Sequence, residues 1–297
     1  EKRVQPREHV FLFRGRMDER YDGVRAVRDR EFRYVRNYSP HRPWGQQYSY
    51  PFEVLPSMRS WYAEFQSGRC NEAQAAYWKP KPAEEFYRIG SAPYELDNRV
   101  DDPNHTARCE ALRRALRAEI IATRDAGFLP EGMAARLAGD KTIHDYTHSS
   151  AYPIERIVDL ADRASSRDVM FLPELRRALD DRHPAIRYWG AIGCLVLQGR
   201  AAPAKARLQA LLRDDWADVS IVAAEALGYH GEAEAAVASL AEIVRRGQPY
   251  EVLAALNTLE YMWRAGHVSL GRVQAIVRDL KLAEPADRIP RFLLGQK

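Results

Sequence analysis

Few residues of this chain combine the right type with a useful spacing. Cys70, Cys109 and Cys194 are far apart and irregularly placed, which suits neither a disulfide framework nor a four-thiolate zinc site. His144 and His148 are four apart, the spacing that lets two imidazoles on one helix face share a metal. Asp145, not Glu, follows His144, and no third ligand is evident. The run Thr147-His148-Ser149-Ser150 reads as a polar connection, so no metal is expected there. Asp101-Asp102 precedes Pro103, while Asp180-Asp181 and Asp214-Asp215 fall between helical segments. All three pairs are expected to be turn residues.

Two further sets could bind rather than react. Arg25, Arg28, Arg30, Arg33 and Arg36, interleaved with Phe32, Tyr34 and Tyr38, have the composition of a nucleic-acid face with stacking aromatics. A hairpin with its aromatics inward and its arginines in water gives the same string, and no nucleic-acid partner is expected. Trp44, Tyr48, Trp61 and Tyr62 suit sugar rings, but such residues are ordinary fillers of a small α+β layer. Packing is the favoured reading.

The elements that must hold these residues divide the chain in two. Residues 1–127 are rich in Arg, Tyr and Pro, with short alternating apolar runs. His9–Phe13, Val24–Asp29, Phe32–Asn37 and Glu85–Ile89 read as strands. The second and third, separated by Arg30-Glu31, form a natural hairpin. Leu55–Gln66 and Asn104–Arg124 read as helices, the latter with Leu112, Ala115, Leu116, Glu119 and Ile120 on one face and Asn104 as its cap. Pro130, Gly132 and Gly139 interrupt any long element through residue 152.

From Tyr152 onward the pattern is helical and repeats. Leu175, Ala178 and Leu179 recur as Leu208, Leu211 and Leu212, and again as Leu240, Ile243 and Val244. The stretch from Asp181 to Ala191 matches that from Asp214 to Ala224, with a looser copy at Tyr250–Leu256. Each unit is a helix, a short turn and a second helix with small residues, as in a solenoid whose units cannot bury their faces alone. The units resemble HEAT repeats. The concave side of such an array could hold a protein, polysaccharide or membrane partner, and a plain role in capping or stabilising an enzyme explains it at least as well.

Composition sets the outer limits. The 297 residues are 46% hydrophobic and 29% charged, enough to bury a core. No apolar run approaches the roughly 20 residues of a membrane span. Residues 1–42 hold twelve Lys/Arg against seven Asp/Glu, so the net charge of +4 is concentrated there. A local basic surface attracts anions, although an exposed arginine face explains it equally. The chain begins Glu-Lys-Arg-Val with no apolar leader. The expectation is that something was removed upstream or that this is the tail of a longer chain.

The most specific stretch runs from Glu85 to Asn98, Glu-Phe-Tyr-Arg-Ile-Gly-Ser-Ala-Pro-Tyr-Glu-Leu-Asp-Asn. It resembles the sulfatase motif E-L-Y-D-L-x-x-D-P-x-E-x-x-N-L near the carboxyl end of those enzymes, with Arg88 for Asp, Ala92 for Asp and Arg99 for the final Leu. Val24–Asn37 is similar to the family's hairpin V-R-x-x-R-x-x-R-Y-K-Y-I-x-N, and Arg14–Asp22 resembles a segment of bacterial sulfatases related to sulfamidase. The resemblance covers about residues 4–131, and sulfatases with a HEAT-like tail exist among bacteria.

That resemblance implies a parent enzyme that hydrolyses sulfuric esters, acting on sulfated sugars, through a formylglycine nucleophile and a calcium ion. The formylglycine motif C/S-x-P-x-R follows none of the three cysteines, and no metal-binding Asp pair can be placed. This chain is therefore expected to be the non-catalytic carboxyl-terminal part, inactive alone, with calcium and formylglycine in a missing catalytic domain. In the family the smaller subdomain lies beside the active-site mouth. The resemblance nominates the loop residues Arg14, Arg16, Asp18 and Glu19 for recognition of the sulfated group. A solvated loop with internal ion pairs is the plainer reading. The competing view is a stand-alone HEAT-type interaction module with a relic sulfatase segment. The compartment stays open, although many bacterial relatives are exported. The expected fold is a small α+β antiparallel-sheet subdomain at 1–131, a linker at 132–152 and an all-α HEAT-like solenoid at 153–297.

Overall fold

The computed structural model describes residues 7–90, 94–282 and 286–295. Its strands are β1 (Val10–Met17), β2 (Arg20–Arg28), β3 (Phe32–Asn37) and β4 (Glu84–Arg88). Before β4 come α1 (Ser49–Val54), α2 (Pro56–Gln66) and α3 (Glu72–Ala76), and after it α4 (Thr106–Ala122), α5 (Glu131–Ala138) and α6 (Ile143–Thr147). The longer helical series is α7 (Ile154–Ser165), α8 (Leu172–Ala178), α9 (Pro184–Leu197), α10 (Lys205–Leu211) and α11 (Ala217–Gly228). It continues with α12 (Ala233–Arg246), α13 (Pro249–Arg264), α14 (Leu270–Val277) and α15 (Arg288–Leu293). The chain divides into two compact units: residues 1–16, 21–46 and 59–125, and residues 17–20, 47–58 and 126–297.

The first unit is built on a four-stranded antiparallel sheet in the order β1-β2-β3-β4. Val24 pairs with Asn37 and Arg28 with Arg33, and on the other side of β3, Phe32 pairs with Arg88 and Arg36 with Glu84. Because side chains alternate across a strand, Val24, Ala26 and Val35 share one face, where Trp44 packs on them. Val27, Tyr34 and Phe86 take the other, toward α4. The tight turn at Asp29–Glu31 is held by Asp29 Oδ1, which accepts from the Glu31 and Phe32 N–H groups at 2.7 Å each. This is the hairpin read from the sequence.

Two details differ from that reading. Asn104 does not cap α4: Asp102 accepts from Asn104 N at 2.9 Å and caps a short 3-10 turn at Pro103–His105, and α4 follows from His105 with no side-chain cap. Asp102 reaches the first exposed N–H because Pro103 has none to offer. Cys109 joins Leu112, Leu116 and Ile120 on the buried face, while Ala115 and Glu119 are only half-buried.

Trp61 stacks on Tyr77 with centroids 4.8 Å apart, and Tyr62 lies 4.9 Å from buried Trp78. These rings pack on each other, and Trp44 lies on the sheet. The conspicuous motif also has a structural job. Asn98 Oδ1 accepts from Phe86 N at 2.8 Å and its Nδ2 donates to Glu84 O at 3.0 Å, while Arg99 N donates to Phe86 O at 2.8 Å. One side chain and one peptide thus satisfy β4 where a fifth strand would otherwise lie. Glu95 of the same stretch pairs with Arg33. Ser91, Ala92 and Pro93 lie outside the described residues.

In the second unit, α8 packs on α9, α10 on α11 and α12 on α13, and the second helices stack in series, α7 on α9 on α11 on α13. Flanked on several sides, α9 is buried along nearly its whole length, and so it is apolar all round. The small residues of the repeat permit the close approach. A Cβ on Gly193 would stand 2.5 Å from Leu175 Cδ2. The repeated Asp is a recurring hook: Asp181 Oδ1 accepts from His183 N and Asp214 Oδ1 from Trp216 N. Arg156 Nη2 donates to Asp181 at 2.6 Å, and Arg187 grips Asp214 with two bonds of 2.7 and 2.8 Å. Residues 132–152 are more ordered than a linker. They supply α5 and α6 and bury Met133, Tyr146 and Tyr152. No helix of the described residues is long and apolar enough to cross a membrane.

Candidate functional site

The segment nominated for recognition is a hairpin rather than a loop. β1 runs through Arg14 and Arg16 to Met17, and Asp18 turns the chain at a positive φ of 46° before β2 starts at Arg20. Asp tolerates that conformation better than most residues. Arg14 and Arg16 belong to the α+β unit, whereas Asp18 and Glu19 belong to the helical one, so the structure sorts the four into two environments.

In the α+β unit, Arg14 Nε lies 3.6 Å from Asp22 Oδ2, and its guanidinium stands 5.3 Å from the centroid of the Trp44 ring. Asp22 is wholly buried and also takes both of its oxygens to Lys81 Nζ at 2.7 Å. Burial pushes the Lys81 ammonium below its ordinary value in spite of Asp22 beside it. Lys81, which the sequence reading passed over, also lies 4.9 Å from the Trp44 ring. Arg16 is half-buried on β1. Arg14 and Arg16 lie two residues apart on β1, so their side chains leave the same face of the strand.

In the helical unit, Asp18 and Glu19 meet Arg288, whose Nη1 is 3.2 Å from Asp18 Oδ1 and 3.6 Å from Glu19 Oε2. Glu19 is 1% exposed and accepts from both the backbone N and the Oγ of Ser49. Its neighbour Arg20 is equally buried, donating to Gln47 O and Asn257 Oδ1 at 2.6 Å each and pairing with Glu260. Burial works against the charge of Arg20, and Glu260 outweighs it, raising the guanidinium above its ordinary value. Asn257 Nδ2 closes the cluster on Glu19 O at 2.7 Å. Nothing in the local sequence distinguishes Arg20 from the arginines around it, since its side-chain partners Asn257 and Glu260 lie more than 200 residues away.

Two of the three thiols are buried away from reaction. Burial raises the Cys109 thiol above its usual range and pushes Cys194 up to about 12, which removes thiolate at neutral pH. His144 and His148 stack with centroids 3.9 Å apart, and His148 Nδ1 is 3.0 Å from His144 O. Asp102, Asp181 and Asp214 accept backbone N–H groups, and among the described residues no group of three or more His, Cys, Asp or Glu could hold a metal. These residues do not fit a catalytic calcium site.

The most displaced carboxyl is Asp218, at the start of α11. Burial first, and then the neighbouring Glu251, push it up to about 7, although it accepts a backbone hydrogen bond from Met133. Its Oδ2 has no hydrogen-bond partner. A Cβ on Gly132 would stand 3.1 Å from that atom, so glycine is what lets α5 approach it. Beside Gly132 an open groove of about 1060 Å³ is lined by Arg136, Asp214, Asp215, Glu242, Tyr250 and Glu251. Asp218 therefore keeps its proton to a higher pH than an ordinary carboxyl, a pH-linked clamp at the head of α5.

No family model matches the chain. A stretch of 126 residues, 42% of the chain, is 32% identical to an ulvan-active sulfatase of Formosa agariphila and covers 21% of that protein. The chain thus spans about a fifth of the length of the curated relative it matches. On this similarity the chain carries a sulfatase-related region.

Proposed function

We propose that the chain is the carboxyl-terminal portion of a sulfuric ester hydrolase that acts on sulfated carbohydrates. The observation that carries this reading is the 126-residue similarity to an ulvan-active sulfatase. The Glu85–Asn98 stretch supports it, since its Asn98 and Glu95 have defined work at β4 and β3. On this reading Arg14 and Arg16 meet the sulfated group, and Asp18 and Glu19 fix the turn that follows them. The layered helical hairpins, with their 33-residue hooks at Asp181 and Asp214, support a HEAT-like solenoid as the second part.

The parent enzyme's formylglycine would form the covalent link to sulfur and its calcium would stabilise the sulfate oxygens. The described residues supply neither, and the purified chain is expected to be inactive alone. Release of inorganic sulfate from ulvan by the native protein, with a raised KM and little changed kcat for Arg16→Ala, is the expected result. Turnover by this chain alone, above a heat-denatured control, would overturn its non-catalytic role. A native intact mass near 34.0 kDa with no sulfate release would favour the stand-alone interaction module.

A further inference from the structure

A second basic stretch, besides the amino-terminal segment, lies in the helical unit. Residues 163–213 hold ten Lys/Arg against four Asp/Glu, a surplus of six. Four of these cations stand on two helices, Arg176 and Arg177 on α8 and Lys205 and Arg207 on α10. α8 and α10, the first members of successive hairpins, flank an open groove of about 670 Å³ lined by Arg176, Arg177, Arg207 and Asp180 over Pro173 and Pro203. Arg207 pairs with Asp180 at 2.5 Å, and both are largely exposed. Arg176 and Arg177 are exposed, and among the described residues no ion pair joins either to a carboxylate. The lead-ins to these two helices add Arg167 and Arg200, 33 residues apart in the repeat. Arg167 is pushed below its ordinary value by burial and by Arg200 nearby.

Arg176 and Arg177, exposed side by side next to an Arg207 that already has Asp180, carry a repulsive cost that a polyanion removes. The next groove along, beside Gly132, is lined by Asp214, Asp215, Glu242 and Glu251 with Arg136 and Arg213, so the basic character belongs to one groove and not to the array.

We propose that the α8–α10 groove binds an extended sulfated saccharide, which rests on the sulfated-carbohydrate reading above and deepens it. Guanidinium forks match sulfate and carboxylate oxygens. The groove is open, so it takes a segment of chain rather than a single enclosed sugar. Its lining has no aromatic ring, and single-stranded nucleic acid binding relies on such rings for stacking.

The test is affinity electrophoresis and titration calorimetry of the full chain with ulvan, desulfated ulvan and a DNA duplex, at low and high sodium chloride. The wild type should bind ulvan in a salt-dependent way and desulfated ulvan far more weakly. The triple variant R176A/R177A/R207A should bind ulvan at least about tenfold more weakly, with a shallower salt dependence. Arg213→Ala, at the other groove, should bind as the wild type does. Unchanged circular dichroism and melting of the triple variant would show that the fold is intact. Undiminished binding by the triple variant, no binding by the wild type, or DNA bound as tightly as ulvan would each overturn the proposal. Binding without sulfate release by the native protein would sink the hydrolase reading alone, and sulfate release with full binding by the triple variant would sink the groove alone.

Discussion

In the α+β unit Arg25 ends on Asp125, Arg33 on Glu95, Arg108 on Asp29 and Arg113 on Glu84, while Lys81 and Arg14 share Asp22. In the helical unit Arg176 and Arg177 end in solvent beside a groove. The segment whose composition looked most basic has folded much of its charge inward. The segment that looked ordinary presents its charge outward. Net charge along a sequence therefore locates an anion-binding face poorly, because pairing in three dimensions decides which cations remain available.

The comparison can be broken hardest at its main exception, Arg20, an inward arginine of the helical unit. Arg20→Ala leaves buried Glu260 with Arg264 at 2.7 Å and takes the donors from Asn257 Oδ1 and Gln47 O, and a loss of about 3 kcal/mol is expected, read as a large fall in the denaturant midpoint. In the α+β unit Lys81→Met removes the bidentate partner of buried Asp22 but leaves Arg14 at 3.6 Å. A smaller loss of about 2–3 kcal/mol is expected from urea unfolding.

Asp218 sharpens the contrast through pH. Its folded pKa lies above the unfolded value, so the native state binds the extra proton, and stability falls as pH rises from about 4 through 7. Asp218→Asn should flatten that slope and gain about 2 kcal/mol at pH 8, visible as a raised Tm there and little change at pH 4. A wild-type Tm that is flat across this range would refute the clamp. The smallest effect belongs to the outward set: R176A/R177A should shift stability by less than about 0.5 kcal/mol. A clear loss of Tm would mean that these arginines hold structure after all.

Local pattern made much of the fold legible. The β2–β3 pairing followed from alternating Val, Phe and Tyr around a short polar turn, and the helical hairpins followed from leucines recurring every 33 residues. What was hidden was long-range or compensated. β1 extends through Arg14–Met17 because charged residues can alternate in an edge strand as well as apolar ones, and a charged run read as a loop. Gly132 looked like a breaker but sits inside α5 at a close approach to Asp218. The Arg20 cluster and the basic groove each join residues that no window of sequence brings together. For the candidate site, the sequence nominated four residues that fall on one hairpin but could not show that Glu19 is buried against Ser49 while Arg14 leans on Trp44.

Asn98 has a consequence for how the sheet can grow. By occupying the hydrogen-bonding groups of Phe86 and Glu84, it closes the β4 margin, so the sheet has one sealed side and one side, at β1, that ends in a strand with exposed Val10, Phe13 and Met17. Fibres need two open margins per molecule, one to receive and one to offer. A sheet sealed on one side can accept a single strand or a single sheet and then stops, which makes pairing at β1 self-limiting even though the strand itself is apolar.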